Sequence, residues 1–257
     1  MIGSSKTPRV IFALTTIIAM MVQPLVQANA PSGHEIIQRF VAISGGHEAY
    51  SKIQNRVTIA NIDAPDHGMK GEFVEILTPP NYRRMLTLDI YDANITGISD
   101  GVPWSASGAG KPENLKGAAA ADVIRHAQLN PFLDWTPESG TAELLGEATI
   151  EKDECYRVEI TPNGSKPLLA FFSKKTGLLR RIDNWAATMF RHFDDYRILN
   201  GVLVPYALQV DAGMMWTYFL EIISIEQNVE LDKFSTGQLF TMYTPDEAAE
   251  MLGLVSK

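Results

Sequence analysis

Residues 168–182 read LLAFFSKKTGLLRRI: two strand signals, the apolar Leu168 to Phe172 and Leu178 to Ile182 with Arg180-Arg181 inside it, on either side of a polar segment that ends in Gly177. A glycine takes the positive φ that a tight turn demands and that other residues resist, so Lys174-Lys175-Thr176-Gly177 reads as a hairpin turn between neighbouring antiparallel strands. Outward from this hairpin the pattern repeats. Period-two segments bounded by Gly, Pro, Asn or Asp run from Val57 to Ile62, Phe73 to Leu77, Tyr82 to Ile90 and Ile95 to Ser99. Further strand signals cover Ala142 to Leu145, Tyr156 to Ile160, Met189 to Phe193, Val202 to Val210 and Thr217 to Ile225. All are too closely spaced for the crossovers that parallel strands require. The expectation is a mainly β (α+β) fold with about eleven strands in an antiparallel sheet.

Three segments depart from this pattern. Ile36, Ile37, Phe40 and Val41 recur at helical spacing with Glu35, Gln38 and Arg39 between them, and Gly45-Gly46 stops the run. From Glu113 to Leu129, the residues Leu115, Ala119, Ala120, Val123, Ile124 and Ala127 fall near one helical face, which predicts one helix or two short ones split at Gly117. Near the end, Thr244-Pro245-Asp246-Glu247 is a capping box with proline at the first helical position, so a short helix is expected there.

The start of the chain carries Lys6 and Arg9 without an acidic residue, then the apolar run Val10 to Val22, then Pro24 and the small-residue stretch Gln27 to Ala30. That order of charged head, apolar middle and cleavage region is a signal peptide. The run is shorter than the ~20 apolar residues of a membrane-spanning helix. Cleavage after Ala30 would leave Pro31 just past the cut, where its ring hinders a protease, so the expected cut follows Ala28. Residues 1–28 are then a cleaved signal peptide and 29–257 a single domain. The residue directly after the cut is Asn29 and not Cys, so the lipid anchor of a bacterial lipoprotein is not expected.

Loss of Lys6 and Arg9 takes the formal net charge from −8 to −10, a poor match to nucleic acid. Cys155 is the single cysteine, which rules out an internal disulfide and suits a bacterial periplasm.

The order of features along the mature chain resembles the LolA/LolB-like superfamily of periplasmic lipoprotein carriers, in particular the outer-membrane lipoprotein-sorting proteins. The resemblance is carried by Ser44-Gly45-Gly46, Pro79-Pro80-Asn81-Tyr82-Arg83 and Asp100-Gly101-Val102-Pro103-Trp104. Leu145-Gly146, Cys155-Tyr156-Arg157-Val158 and Phe172 to Leu179 follow. It continues through Asp195-Tyr196-Arg197, Asn200-Gly201-Val202, Pro205 and Val229 to Phe234. It implies a strongly curved antiparallel sheet forming an incomplete barrel, with short helices covering the open side and an apolar cavity for acyl chains. It also implies a carrier or lipid binder without a catalytic centre, in which an arginine and a helical lid control opening. No motif around Arg83, Arg84, Arg180 or Arg181 identifies that arginine.

The residues themselves offer little catalytic chemistry. His34, His47, His67, His126 and His192 are far apart, and no pair has metal-ligand spacing, so no metal or other cofactor is expected. Ser105 to Lys111 lacks the leading glycine of a phosphate loop and puts Pro112 where its Ser or Thr belongs. No Gly-x-Ser-x-Gly elbow occurs, and Cys155 has no flanking His. Asp194-Asp195 and Asp153-Glu154 would be split across the two faces of a strand. Lys174-Lys175 and Arg180-Arg181 read as a solvent face. No catalytic residue is assigned.

The apolar pattern around Trp216 to Ile223 covers both faces of a strand, which fits a two-layer core as well as a curved sheet with a filled concave face. With the family resemblance, the cavity-lining candidates are Phe73, Met85, Leu88, Trp104, Phe171, Trp185, Phe190, Trp216, Tyr218 and Phe219. The expected protein is a non-catalytic periplasmic monomer that binds, and transfers, a lipid or lipid-modified protein. Its partners would be acyl chains or an acylated lipoprotein, with inner- and outer-membrane proteins as donor and acceptor. Two other readings stand beside it: an envelope enzyme working on lipid or glycan through carboxylates, and a structural or interaction module of the cell envelope.

Overall fold

Strands of alternating polarity with tight turns can pair only with their chain neighbours, and that rule builds almost the whole molecule. The computed structural model describes residues 30–89, 91–107, 111–184, 188–211 and 217–231. They contain β1 (Arg56–Ala64), β2 (Met69–Thr78), β3 (Asn81–Leu88), β4 (Tyr91–Ser99), β5 (Val102–Ser107) and β6 (Glu113–Asn114). The second half contains β7 (Gly140–Ile150), β8 (Asp153–Pro162), β9 (Leu168–Ser173), β10 (Leu179–Asp183), β11 (Phe190–Leu199), β12 (Val202–Asp211) and β13 (Thr217–Gln227). All belong to one antiparallel sheet in which β6 to β1 form one meander and β7 to β13 another. The meanders join where β1 pairs with β13. Among the described residues β6 and β7 are the two edge strands, and they do not pair with each other, so the barrel is incomplete.

All the segments expected to be strands are present, and β5 and β6 join them. Asp100 (φ 53°) and Gly101 (φ 77°) form a two-residue turn that folds β5 back on β4. Glu113 and Asn114 then pair with Ser105 and Trp104. They are therefore strand rather than the start of a helix, which begins instead at Gly117.

Among the described residues three α-helices accompany the sheet: α1 (Gly33–Ile43), α2 (Gly46–Tyr50) and α3 (Gly117–His126). The chain does not pass from Gly45-Gly46 straight into a strand; it makes α2 first. The helix expected at Thr244 lies outside the described residues. α1 opens with a capping box: Ser32 Oγ accepts from the Glu35 N–H at 3.2 Å, and the Glu35 carboxylate accepts from the Ser32 N–H at 2.8 Å. Ser32→Ala is expected to cost about 1 kcal/mol, read as a lower urea midpoint at unchanged slope. An unmoved midpoint would show that the cap is dispensable.

Both long helices lie on one face of the sheet. α1 buries Ile36, Ile37, Phe40 and Val41 against Val158, Ile160, Ala170 and Phe172 of β8 and β9. α3 sets Val123 against Leu77, Tyr82 and Ile98 of β2 to β4. Ala119 and Ile124, which the helical pattern put on the same side, are exposed. On the opposite face Ile59, Val74, Met85, Ile95 and Ala106 form a row straight across β1 to β5. Val229 and Leu231 pack on that cluster. In the next row the Trp104 indole lies over Gly97, where a Cβ would fall 2.5 Å from the ring.

Candidate functional site

A cavity of about 260 Å³ opens between the concave face of the sheet and the helices. Its apolar wall is Phe73 and Leu86 from β2 and β3, with Leu208, Val210, Tyr218 and Leu220 from β12 and β13. Phe40 of α1, the end of α3 and the segment after it close the other side. That roof is pinned from within. Phe40, Phe132 and Phe172 form a ring cluster with centroids 5.7–6.1 Å apart. The buried Ser44 hydroxyl donates to the Val41 carbonyl (3.0 Å) and accepts from Asn130 Nδ2 (3.1 Å), while Asn130 Oδ1 accepts from the Phe132 N–H (3.0 Å).

Curvature brings distant strands to this one space. Arg84 on β3 and Arg191 on β11 are five strand positions apart, which in a flat sheet is about 24 Å at ~4.8 Å per strand. Both line the cavity.

The polar groups of the lining divide into paired and unpaired. Arg56 and Glu75 form an ion pair at 3.3 Å, with side chains only 14% and 15% exposed, and the Tyr82 hydroxyl donates to the same carboxylate at 3.1 Å. Burial and then Glu75 push the Tyr82 phenol far up. Arg125 pairs with Asp122 on its own helix. Neither Arg84 nor Arg191 pairs with a carboxylate among the described residues. Arg191 Nη2 lies 3.6 Å from the Met189 sulfur. Burial, and next the charge of Arg84, pull the Arg191 guanidinium down to about 10, so it remains protonated at neutral pH. His126 Nδ1 donates to the Asp122 carbonyl at 2.7 Å. Burial and then Arg191, Arg84 and Arg125 hold its pKa well below the usual histidine range, so the ring is neutral.

Of the residues proposed from sequence, Phe73 and Tyr218 line the cavity, and Leu88 packs in the cluster beneath them. Met85 and Trp104 are buried in the cluster on the opposite face. Phe171 and Phe190 stack on Arg181 at 5.1 and 4.6 Å. Phe219 is 42% exposed. Trp185 and Trp216 lie outside the described residues. Leu86, Leu208, Val210, Leu220 and the cavity arginines were not singled out by the sequence, although Leu86 shares strand parity with Leu88.

Elsewhere the reactive groups are occupied or enclosed. Asp194 pairs with Arg180 at 2.8 Å and Asp195 with Arg197 at 2.5 Å, each carboxylate going to its own arginine. Arg181 is not on a solvent face; it grips Asp183 with two hydrogen bonds of 2.5 and 2.8 Å. Cys155 is fully buried, and burial pushes its thiol up to about 11. No group of three His, Cys, Asp or Glu among the described residues is placed to hold a metal. No helix among them is long and apolar enough to cross a membrane.

No family model and no curated protein matches the chain. Solved structures do. The chain is similar to a LolA superfamily protein from Nitrosomonas europaea at 15% identity and TM-score 0.54, over 83% of this chain and 99% of that one. A DUF1329 family protein from Desulfovibrio piger matches at 13% identity and TM-score 0.53, over 80% and 96%. An outer membrane lipoprotein-sorting protein domain from Vibrio parahaemolyticus matches at 11% identity and TM-score 0.53, over 81% and 98%. These likenesses show that the chain shares its fold with these three structures.

Proposed function

We propose that this LolA-like fold is a non-catalytic binder that takes an acyl chain of a lipid, or of a lipid-modified protein, into its cavity and shields it from water during transfer. The observation that carries this reading is the apolar hollow of about 260 Å³ under a roof pinned by Ser44, Asn130 and the phenylalanine cluster. A methylene needs no more room than a water molecule's ~30 Å³ share of liquid, so the hollow takes on the order of eight chain carbons. At about 0.8 kcal/mol per buried CH₂ their gross gain is roughly 6 kcal/mol, before the costs of association. Such a chain would be made with residues 1–28 as a cleaved signal peptide and would act unanchored, as a monomer, in the periplasm between inner- and outer-membrane partners.

An enzyme acting through carboxylates would need acidic groups converging on the cavity. Within the described lining Glu75 alone is acidic, and it is held by Arg56 and Tyr82. The test is to purify the mature protein, analyse its organic extract by mass spectrometry and titrate it with a fluorescent fatty acid. A co-purified amphiphile and saturable uptake are expected, with Leu208→Trp, which fills the wall, lowering uptake. Recovery of no lipid together with no uptake overturns the proposal.

A further inference from the structure

Like charges are rarely gathered in an enclosed apolar space, because each guanidinium loses hydration and repels its neighbours. Arg84, Arg125 and Arg191 nevertheless line one cavity with the neutral His126 beside them. The anionic groups that face this cluster are few. Glu75 is committed to Arg56 on β1 and Tyr82 on β3. Asp122 on α3 is committed to Arg125 and is itself largely exposed. Two cations, Arg84 and Arg191, therefore stand without a carboxylate among the described residues. They come from opposite walls, β3 and β11, and Arg125 reaches the same space from the last turn of α3. A folded protein tolerates a violation of this kind where a ligand supplies what is missing.

We infer that Arg84, Arg125 and Arg191 form a clamp for the anionic headgroup, a carboxylate, of a single-chain amphiphile whose hydrocarbon lies along Phe73, Leu208 and Leu220. The inference rests on the reading that the cavity takes an acyl chain, and it adds the chemistry of the head. The planar guanidinium fork matches a carboxylate's two oxygens, and charge-assisted hydrogen bonds of this type are about twice as strong as neutral ones. Enclosure also limits screening, so the attraction survives ordinary salt.

Calorimetric titration of the mature protein with laurate, 1-dodecanol, dodecyl phosphate and inorganic phosphate separates the possibilities. Laurate is expected to bind at least about tenfold tighter than dodecanol, the effect of one or more hydrogen bonds to a charged group. In Arg191→Met this margin collapses while dodecanol affinity stays within about twofold, because only the head loses its partner. The ligand-free variant should unfold at no lower urea concentration than the parent, since it loses an unpaired enclosed cation. Arg84→Met, on a different strand, should behave alike.

Equal affinity for laurate and dodecanol overturns the clamp and leaves the acyl-chain reading standing. Binding of neither removes both. A clear preference for dodecyl phosphate over laurate overturns the carboxylate assignment. Inorganic phosphate abolishing the laurate advantage identifies a free-anion site instead. Parallel loss of laurate and dodecanol in both variants, with lowered urea midpoints, shows that the arginines are structural.

Discussion

Phe172→Ala is expected to lower the unfolding free energy by about 3–5 kcal/mol, the range for deleting a buried phenylalanine ring whose surroundings cannot collapse. Phe172 is fully buried, and its ring meets Phe40 of α1 and Phe132 of the segment after α3 at 5.7 and 6.0 Å. On the sheet it stands between Tyr156 of β8 and Leu179 of β10. Three separate parts of the chain thus lose contact when one ring is removed, and backbone on every side resists closing the gap. Urea unfolding should show the loss as a midpoint shift at unchanged slope. Phe219→Ala, at a site 42% exposed, should stay within about 0.5 kcal/mol. Similar losses from the two substitutions would mean that the phenylalanine cluster does not fix the roof.

Glu75→Leu is expected to cost about 3 kcal/mol, because it leaves the Arg56 guanidinium enclosed without its counter-charge and strands the Tyr82 hydroxyl as well. Replacing both partners, Arg56→Leu with Glu75→Leu, removes the unmatched charge and should recover most of that loss. A double-mutant cycle by urea denaturation measures the coupling. If the double variant is no more stable than Glu75→Leu alone, the pair does not stabilise the cavity wall in the way described.

How much of this was legible in the sequence differs from element to element. The hairpin around Gly177, and the strands beside it, announced themselves through alternation and turn chemistry. β5 did not, because Val102 to Ser107 mixes proline and serine without a clean period; its pairing is imposed by the Asp100-Gly101 turn. β6 is only two residues long and exists because β5 offers it an edge. For the cavity, strand parity held more information than residue type did. Met85 and Leu88 are three positions apart and Tyr218 and Phe219 are adjacent, so neither pair can share a face. The structure puts Leu88 and Tyr218 on the helix-covered side and Met85 on the other. The meeting of Arg84 with Arg191 was not readable at all. It depends on sheet curvature and on the β1 to β13 pairing, which no local pattern encodes.

That pairing also sets an order of events in time. Asp63 lies opposite Phe219, so the contact must close a loop of about 150 residues, whereas every other strand pair closes through a short connection. Each meander can assemble as its hairpins emerge, but β1 keeps a bare edge until the last strand of the sheet has been made. During that interval the first meander is open to strand addition by another chain. A chain shortened before Thr217 would keep that edge permanently, and aggregation rather than partial activity is its expected fate.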